Sequence, residues 1–339
     1  MFSVNQQSQA TEHSAYRRVY RESRLTLGLM FPIEAFSGDT PSMSRQVELA
    51  QQAESGGFDA LWFRDVPLRD PTFGDVGQVF DTFVYLGYIA AHTRTIALGT
   101  AAVILPLRHP LHTAKQAASV DQLSGGRLIL GVASGDRPSE FPAFGQDLNA
   151  RGEVFRESVR LIKRAWSEHY PTDASPFGML QGVDLVPKPT TCELPLIVTG
   201  RSQQNLDWIA AHAHGWMSYP RAPQVQAAIV AQWREAVARV RPGQFLPFSQ
   251  SLYIDLAAEP GTPPTPIHLG FRLGRDALRV LLLQLRRVGV SHVALNLKYG
   301  QRPASDVVDE LCRHVVPDLG STSPAASSPP EAQIAGSLA

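Results

Sequence analysis

A chain of 339 residues with 31 Lys plus Arg against 31 Asp plus Glu has no formal net charge, and so lacks the basic face that nucleic-acid binding requires. Its 44% hydrophobic content supports a large core, yet no run approaches the roughly 20 apolar residues of a membrane span. The two cysteines, Cys192 and Cys312, argue against a disulfide framework or a cysteine metal site and point to the reducing cytoplasm, and the opening MFSVNQQSQATEHSAYRR lacks the apolar core of a secretion signal.

Residues 1–23 are polar and unpatterned and are expected to be loose. Residues 25–31 (LTLGLMF) predict a first strand, and 42–55 a helix stopped by Gly56 and Gly57. Strand two is 58–64 (FDALWFR), followed by a helix over 81–92. Strand three is 95–105, and its helix over 112–123 ends at Ser124-Gly125-Gly126. Residues 127–133 (RLILGVA) form strand four, with a long amphipathic helix over 152–169. Residues 194–199 (LPLIVT) predict strand five, with a helix over 203–212 behind it. Short strand six is 215–218, followed by a helix over 225–240. Strand seven is 250–257, with a helix over 275–288. Strand eight is 291–297, and the last helix covers 305–314. Residues 320–339, rich in Ser, Ala and Pro, read as a disordered tail.

Eight strand–helix units in series predict one α/β domain over 24–319, a (β/α)8 TIM barrel. The strands are near-continuous apolar runs, as burial on both faces requires. Long connections at 32–41, 65–79, 134–151 and 170–193 are candidates to cover a site near the rim. There is no Walker loop and no Rossmann glycine fingerprint. His212 and His214 do not have a metal-binding spacing, and no metal is expected.

Three segments carry a family resemblance through their order and spacing. They are GGFDALWF at 56–63, IALGTAAVILPLRHPLHTAKQAASVDQLSGGRLILGVASGDRPSEFPAFG at 96–145, and LPLIVTGRSQQNLDWIAAHAHGW at 194–216. Together they resemble the bacterial-luciferase-like monooxygenases, flavin-dependent oxidoreductases built on a barrel with extended loops. The resemblance implies FMN, reduced by a separate flavin reductase, acting with oxygen on a small organic substrate. It also implies a cytoplasmic protein, commonly a homodimer formed through helices near strands two and three, here 81–92. A deazaflavin coenzyme used for hydride transfer is the alternative, as is a flavin-binding protein without turnover.

The same resemblance assigns site residues. A non-proline cis peptide beneath the flavin ring falls at Ala101–Ala102. The cofactor phosphate falls to Gly200, Arg201 and Ser202, with Asn205 nearby. Arg151, one residue out of the luciferase register, is a further phosphate contact. Read from the residues themselves, Ser202 opening a helix suits a phosphate, or is an ordinary helix cap. Ser134 stands where luciferase has an arginine, and Arg137 is a candidate to replace that charge. The luciferase histidine pair after strand two is absent here, where the chain reads Arg64-Asp65-Val66-Pro67. Asp65 is therefore the candidate catalytic group, unless it pairs with Arg64 or Arg69. His109 either contacts the flavin or caps the next helix. Phe31, Trp62, Phe63, Phe141 and Phe144 suggest a partly apolar pocket.

Overall fold

A computed structural model describes residues 13–320. The two ends beyond these bounds, which include most of the segment expected to be loose and the expected tail, lie outside the described residues. Eight parallel strands close on themselves in the order β1 (Thr26–Met30), β2 (Ala60–Phe63), β3 (Ala97–Thr100), β5 (Leu128–Ala133), β8 (Leu196–Thr199), β9 (Gly215–Ser218), β10 (Phe248–Leu256) and β13 (His292–Asn296). β13 returns to β1 with Gly28 opposite Ala294. The fold is the expected barrel.

Alternation along each strand sorts side chains into two cores. Leu27, Leu29, Leu61, Phe63, Leu98, Leu130 and Val198 face outward and pack under the helices. Met30, Ala60, Trp62, Ala97, Ile129, Ile197, Met217 and Ala294 fill the barrel. The aromatic residues expected to line a pocket are divided by this rule. Phe31 and Phe63 belong to the outer core, Trp62 plugs the interior, Phe141 is fully buried, and Phe144 alone of the five is exposed.

Trp62 is accommodated by glycine. A Cβ at Gly99 would lie 2.4 Å from its ring, and one at Gly131 would lie 1.8 Å from the Thr100 carbonyl oxygen. Trp62 Nε1 donates to Nε2 of buried His292 at 2.8 Å, and the other ring nitrogen meets the Thr26 hydroxyl at 2.7 Å. Since His292 Nε2 accepts, its proton sits on Nδ1 and the ring is neutral.

The bottom of the barrel differs from the sequence expectation. Residues expected to be loose form α1 (Ser14–Val19), with Ala15, Tyr16 and Val19 buried. The Tyr16 hydroxyl donates to the His214 carbonyl at 2.9 Å, and His13 bonds Asp121 at 2.9 Å. The apolar spacing 15, 16, 19, 20 is too short to register as a periodic pattern, but it is long enough to cap an open barrel end.

The helices follow as α2 (Gln46–Ser55), α3 (Thr82–His92), α4 (Pro110–Ser124), short α5 (Glu140–Ala143), α6 (Arg151–Ser167), α7 (Leu206–His212), α8 (Pro223–Val240), α9 (Arg275–Val288), α10 (Ala304–His314) and α11 (Val316–Gly320). Asp81 caps α3 by accepting from the N–H groups of Phe83 and Val84. The DQLSGGR stretch proves structural. Asp121 accepts from His13 and Thr190, Gly125 closes α4 in the left-handed region, and buried Arg127 donates to the carbonyls of Ala90, Thr93, Ile96 and Ser124.

Three connections differ from expectation. Strand three stops at Thr100, and the chain resumes as β4 (Val103–Ile104) before a 3-10 turn at Leu105–Leu107. The 170–193 connection contains a hairpin, β6 (Asp173–Ser175) and β7 (Gly178–Leu180). Another pair, β11 (Thr265–Ile267) and β12 (Gly270–Leu273), follows β10. Strands of two to four residues carry too little alternation to be read from sequence.

Candidate active site

The C-terminal strand ends carry two polar constellations. The first lies over β3, β5 and β8. The Ala101–Ala102 peptide is cis, as the resemblance implied. Beside it, the Ser202 hydroxyl donates to the Thr199 carbonyl at 3.0 Å and accepts from the Ser134 N–H at 3.2 Å. Ser134 and Ser202, 68 residues apart, are thus joined.

Ser202 does not open a helix. Gly200, Ser202 and Gln203 adopt left-handed backbone with φ of 61°, 47° and 61°, and α7 starts only at Leu206 with Asn205 as its cap. Consecutive non-glycine residues in that region mark an enforced turn. The turn leaves the N–H groups of Arg201, Ser202 and Gln203 with no acceptor among the described residues. Successive N–H groups left free in such backbone are the elements from which anion-binding nests are built.

Two buried polar atoms beside it are also unpartnered, Thr199 Oγ1 and Arg151 Nε. Arg151 begins α6, whose next residue abuts the turn. Gln204 Nε2 donates to the Gly152 carbonyl at 2.9 Å, and a Cβ at Gly152 would lie 2.7 Å from that of Gln203. Arg201 contributes its N–H. Its guanidinium is exposed and sits 5.6 Å from the ring of Trp216, toward the groove between α7 and α8.

Asp65 is engaged on all sides. Arg108 grips it through two nitrogens at 2.9 and 2.6 Å, Thr82 Oγ1 donates at 3.1 Å, and the Ile104 N–H donates at 3.1 Å. Its partner is Arg108 rather than Arg64 or Arg69. Burial disfavours the Arg108 charge, but Asp65 and Asp81 outweigh it and raise the guanidinium above its ordinary value. The pair ties the end of β2 to the segment after the cis peptide. His109 caps α4, its Nδ1 accepting from the Leu111 N–H at 3.3 Å while Nε2 meets the Phe177 carbonyl at 3.3 Å.

The second constellation was not anticipated. Arg64 continues the inward-facing series after Trp62, and Lys298 continues that of His292, Ala294 and Asn296. Both reach Asp75 in the 65–79 connection, Arg64 through Nη1 and Lys298 at 3.3 Å. Burial would raise the Asp75 carboxyl, but Arg64, the Gly77 N–H and Lys298 hold it below its ordinary value. Tyr253 on β10 and Tyr219 after β9 both sense the Arg64 charge, although burial pushes Tyr253 up to about 12. Tyr299 stacks at a tilt on Tyr253 with ring centroids 5.2 Å apart.

Loops 65–79 and 134–145 pack on each other over this mouth. Arg137 lies 4.8 Å from the Phe73 ring and donates to the Asp75 carbonyl at 3.0 Å. Arg137 is therefore bound into the cover.

A closed parallel barrel with its polar groups gathered at the strands' C-terminal ends is a (β/α)8 barrel. Within that class the chain belongs to the luciferase-like monooxygenase family, whose signature matches residues 25–254. It is 27% identical over 174 residues to the alkanal monooxygenase alpha chain of Photorhabdus luminescens, a match covering 51% of this chain and 47% of that one. The match thus spans about half the length of that relative. Among solved structures, monooxygenase RslO1 from Streptomyces bottropensis is similar with a TM-score of 0.72 at 18% identity, covering 86% of this chain and 99% of that one. An F420-dependent secondary alcohol dehydrogenase is similar with a TM-score of 0.73 at 16% identity, covering 88% of this chain and 100% of that one. Among the described residues, no group of His, Cys, Asp and Glu is arranged to hold a metal ion, and no helix is long and apolar enough to cross a membrane.

Proposed function

We propose that this chain is an oxidoreductase that binds a phosphorylated flavin or deazaflavin across β3, β5 and β8. The observation that carries the reading is the turn at 199–203. Three successive N–H groups without acceptors among the described residues lie there beside two orphaned buried polar atoms, Thr199 Oγ1 and Arg151 Nε. An anionic phosphate satisfies such groups together. By the family resemblance the cofactor ring then lies over the Ala101–Ala102 backbone, where Gly131 lets the Thr100 carbonyl approach β5.

The cofactor supplies the redox chemistry when bound, and the protein holds and shields it. In this assignment Ser134 and Ser202 fix the turn, while Asp65 and His109 position their loops rather than move protons. With its carboxylate saturated by Arg108, Thr82 and Ile104, Asp65 has no lone pair directed at a substrate. Loops 65–79 and 134–145 exclude water.

Two readings share this site. One is a two-component monooxygenase that receives reduced FMN from a separate reductase and acts with oxygen on a small organic substrate. The other is hydride transfer with a deazaflavin, and the backbone superposes as well on an F420-dependent dehydrogenase as on a monooxygenase.

An anaerobic titration with reduced FMN, oxidised FMN and a reduced deazaflavin separates them. Tight binding of reduced FMN, followed by oxygen-dependent substrate consumption, supports the monooxygenase. Binding of the deazaflavin alone supports hydride transfer, and binding of FMN without turnover supports a flavin carrier. Binding of none overturns the proposal.

A further inference from the structure

The Arg64–Asp75–Lys298 cluster faces the half of the mouth opposite the phosphate turn. Two cations share one carboxylate, so the cluster retains one positive charge. Arg64 uses Nη1 on Asp75, and neither Nη2 nor Nε finds an acceptor among the described residues. Its side chain is 22% exposed, so those donors remain reachable. Lys298 is used up locally, bonding Gly74 as well as Asp75.

Tyr253, Tyr299 and Tyr219 sense the guanidinium charge, and the Tyr219 hydroxyl donates to the Asp136 carboxylate at the rim at 3.4 Å. Among the described residues, the hydroxyls of Tyr253 and Tyr299 have no hydrogen-bond partner. Tyr219 and Tyr299 are exposed at 48% and 37%, unusual for large rings at a concave rim, and offer flat surface to an incoming molecule.

We infer that this half of the mouth is the substrate-recognition site and that it selects an organic monocarboxylate with a flat, apolar body. The free edge of Arg64 presents two N–H donors in the fork that matches a carboxylate. One surplus charge matches one anionic group, and a partly desolvated cation favours it over a neutral isostere. Tyr253 and Tyr299 provide the stacking wall. The inference rests on the cofactor reading for its catalytic meaning, but not for the binding it predicts.

The test uses the full chain without cofactor and three probes of one shape, 2-naphthoate, 2-naphthamide and 2-naphthylmethylamine. Binding is read by saturation-transfer NMR. Naphthoate is expected to bind about tenfold or more tighter than the amide, and the amine is expected not to bind. Arg64→Gln should abolish that preference while leaving the amide unchanged, and Tyr253→Ala should weaken both. Lys298→Gln serves as a second variant should Arg64→Gln fail to fold, and it should reduce the preference through the same charge balance. Equal binding of acid and amide, no binding of any probe, or an undiminished preference in a folded Arg64→Gln protein overturns the inference. FMN titrated in parallel keeps the two claims apart. FMN binding without acid preference overturns this inference alone, whereas acid preference without FMN or deazaflavin binding supports it and overturns the cofactor reading.

Discussion

Glu140 is 2% exposed, and its Oε1 has no partner among the described residues. Burial pushes its carboxyl up to about 7, against the opposing pull of Arg137. The folded state thus holds a proton that the unfolded state releases near pH 4.5. Stability from this group is present at low pH and is lost as pH rises through 7. Glu140→Gln is therefore expected to stabilise the protein by about 1–3 kcal/mol at pH 8 and to have little effect at pH 5. Urea unfolding at the two pH values measures this, and an equal effect at both would show that Glu140 titrates normally. At the phosphate turn, Thr199→Val removes one orphaned hydroxyl without changing shape. It should weaken FMN about tenfold and leave riboflavin unchanged, because the lost contact is to phosphate. Equal loss for both ligands would remove Thr199 from the phosphate site.

At the scale of elements, α1 and α3 make opposite contributions. α1 seals the barrel floor with Tyr16 and Val19, both nearly inaccessible. Tyr16→Ala should cost about 3–5 kcal/mol, the range for deleting a buried aromatic ring, with its hydrogen bond to His214 lost as well. A loss below 1 kcal/mol would mean that the floor closes without it. α3 instead exposes Val84 at 72% and Tyr88 at 52%, next to exposed Phe80 and Val79. This apolar face is the proposed homodimer contact. Val84→Glu together with Tyr88→Glu should convert a dimer to a monomer in analytical ultracentrifugation, and a wild-type monomer would remove the assignment.

These elements also show what a sequence can reveal. Most barrel strands are short apolar runs buried on both faces, and all eight were legible, although β10 carries Ser249, Gln250, Ser251 and Asp255. α1 was not, because its three buried residues sit among polar ones and owe their burial to a barrel end closed by the rest of the chain. The turn proposed to hold the phosphate was picked out by resemblance, and the helix after it was placed too early because left-handed backbone at Ser202 and Gln203 leaves no mark in residue type. Arg64 and Lys298 were missed for a topological reason. Lys298 lies 223 residues from Asp75, and only the return of β13 to β1 brings them together.

The molecule as a whole combines buried groups with opposite proton linkages. Burial pushes His292 and His214 down to about 3, and both are neutral in the folded state. His292 accepts from Trp62 and His214 accepts from the Leu196 N–H, so protonating either acceptor nitrogen breaks a core hydrogen bond. Between pH 6.5 and 4.5 the unfolded chain gains two protons on these rings that the folded barrel refuses. In the same window the folded barrel keeps one on Glu140 that the unfolded chain gives up. With His212 also lowered by burial, the unfolded state binds more protons than the folded one across this window, and stability should fall on acidification. Glu140→Gln removes the opposing group, so its stability should fall more steeply. His292→Gln, whose amide oxygen can still accept from Trp62, should make the wild-type slope shallower. Urea midpoints at half-unit intervals from pH 6.5 to 4.5 test all three slopes. Equal slopes in the three proteins would show that neither ring nor carboxyl is held away from its ordinary protonation by the fold.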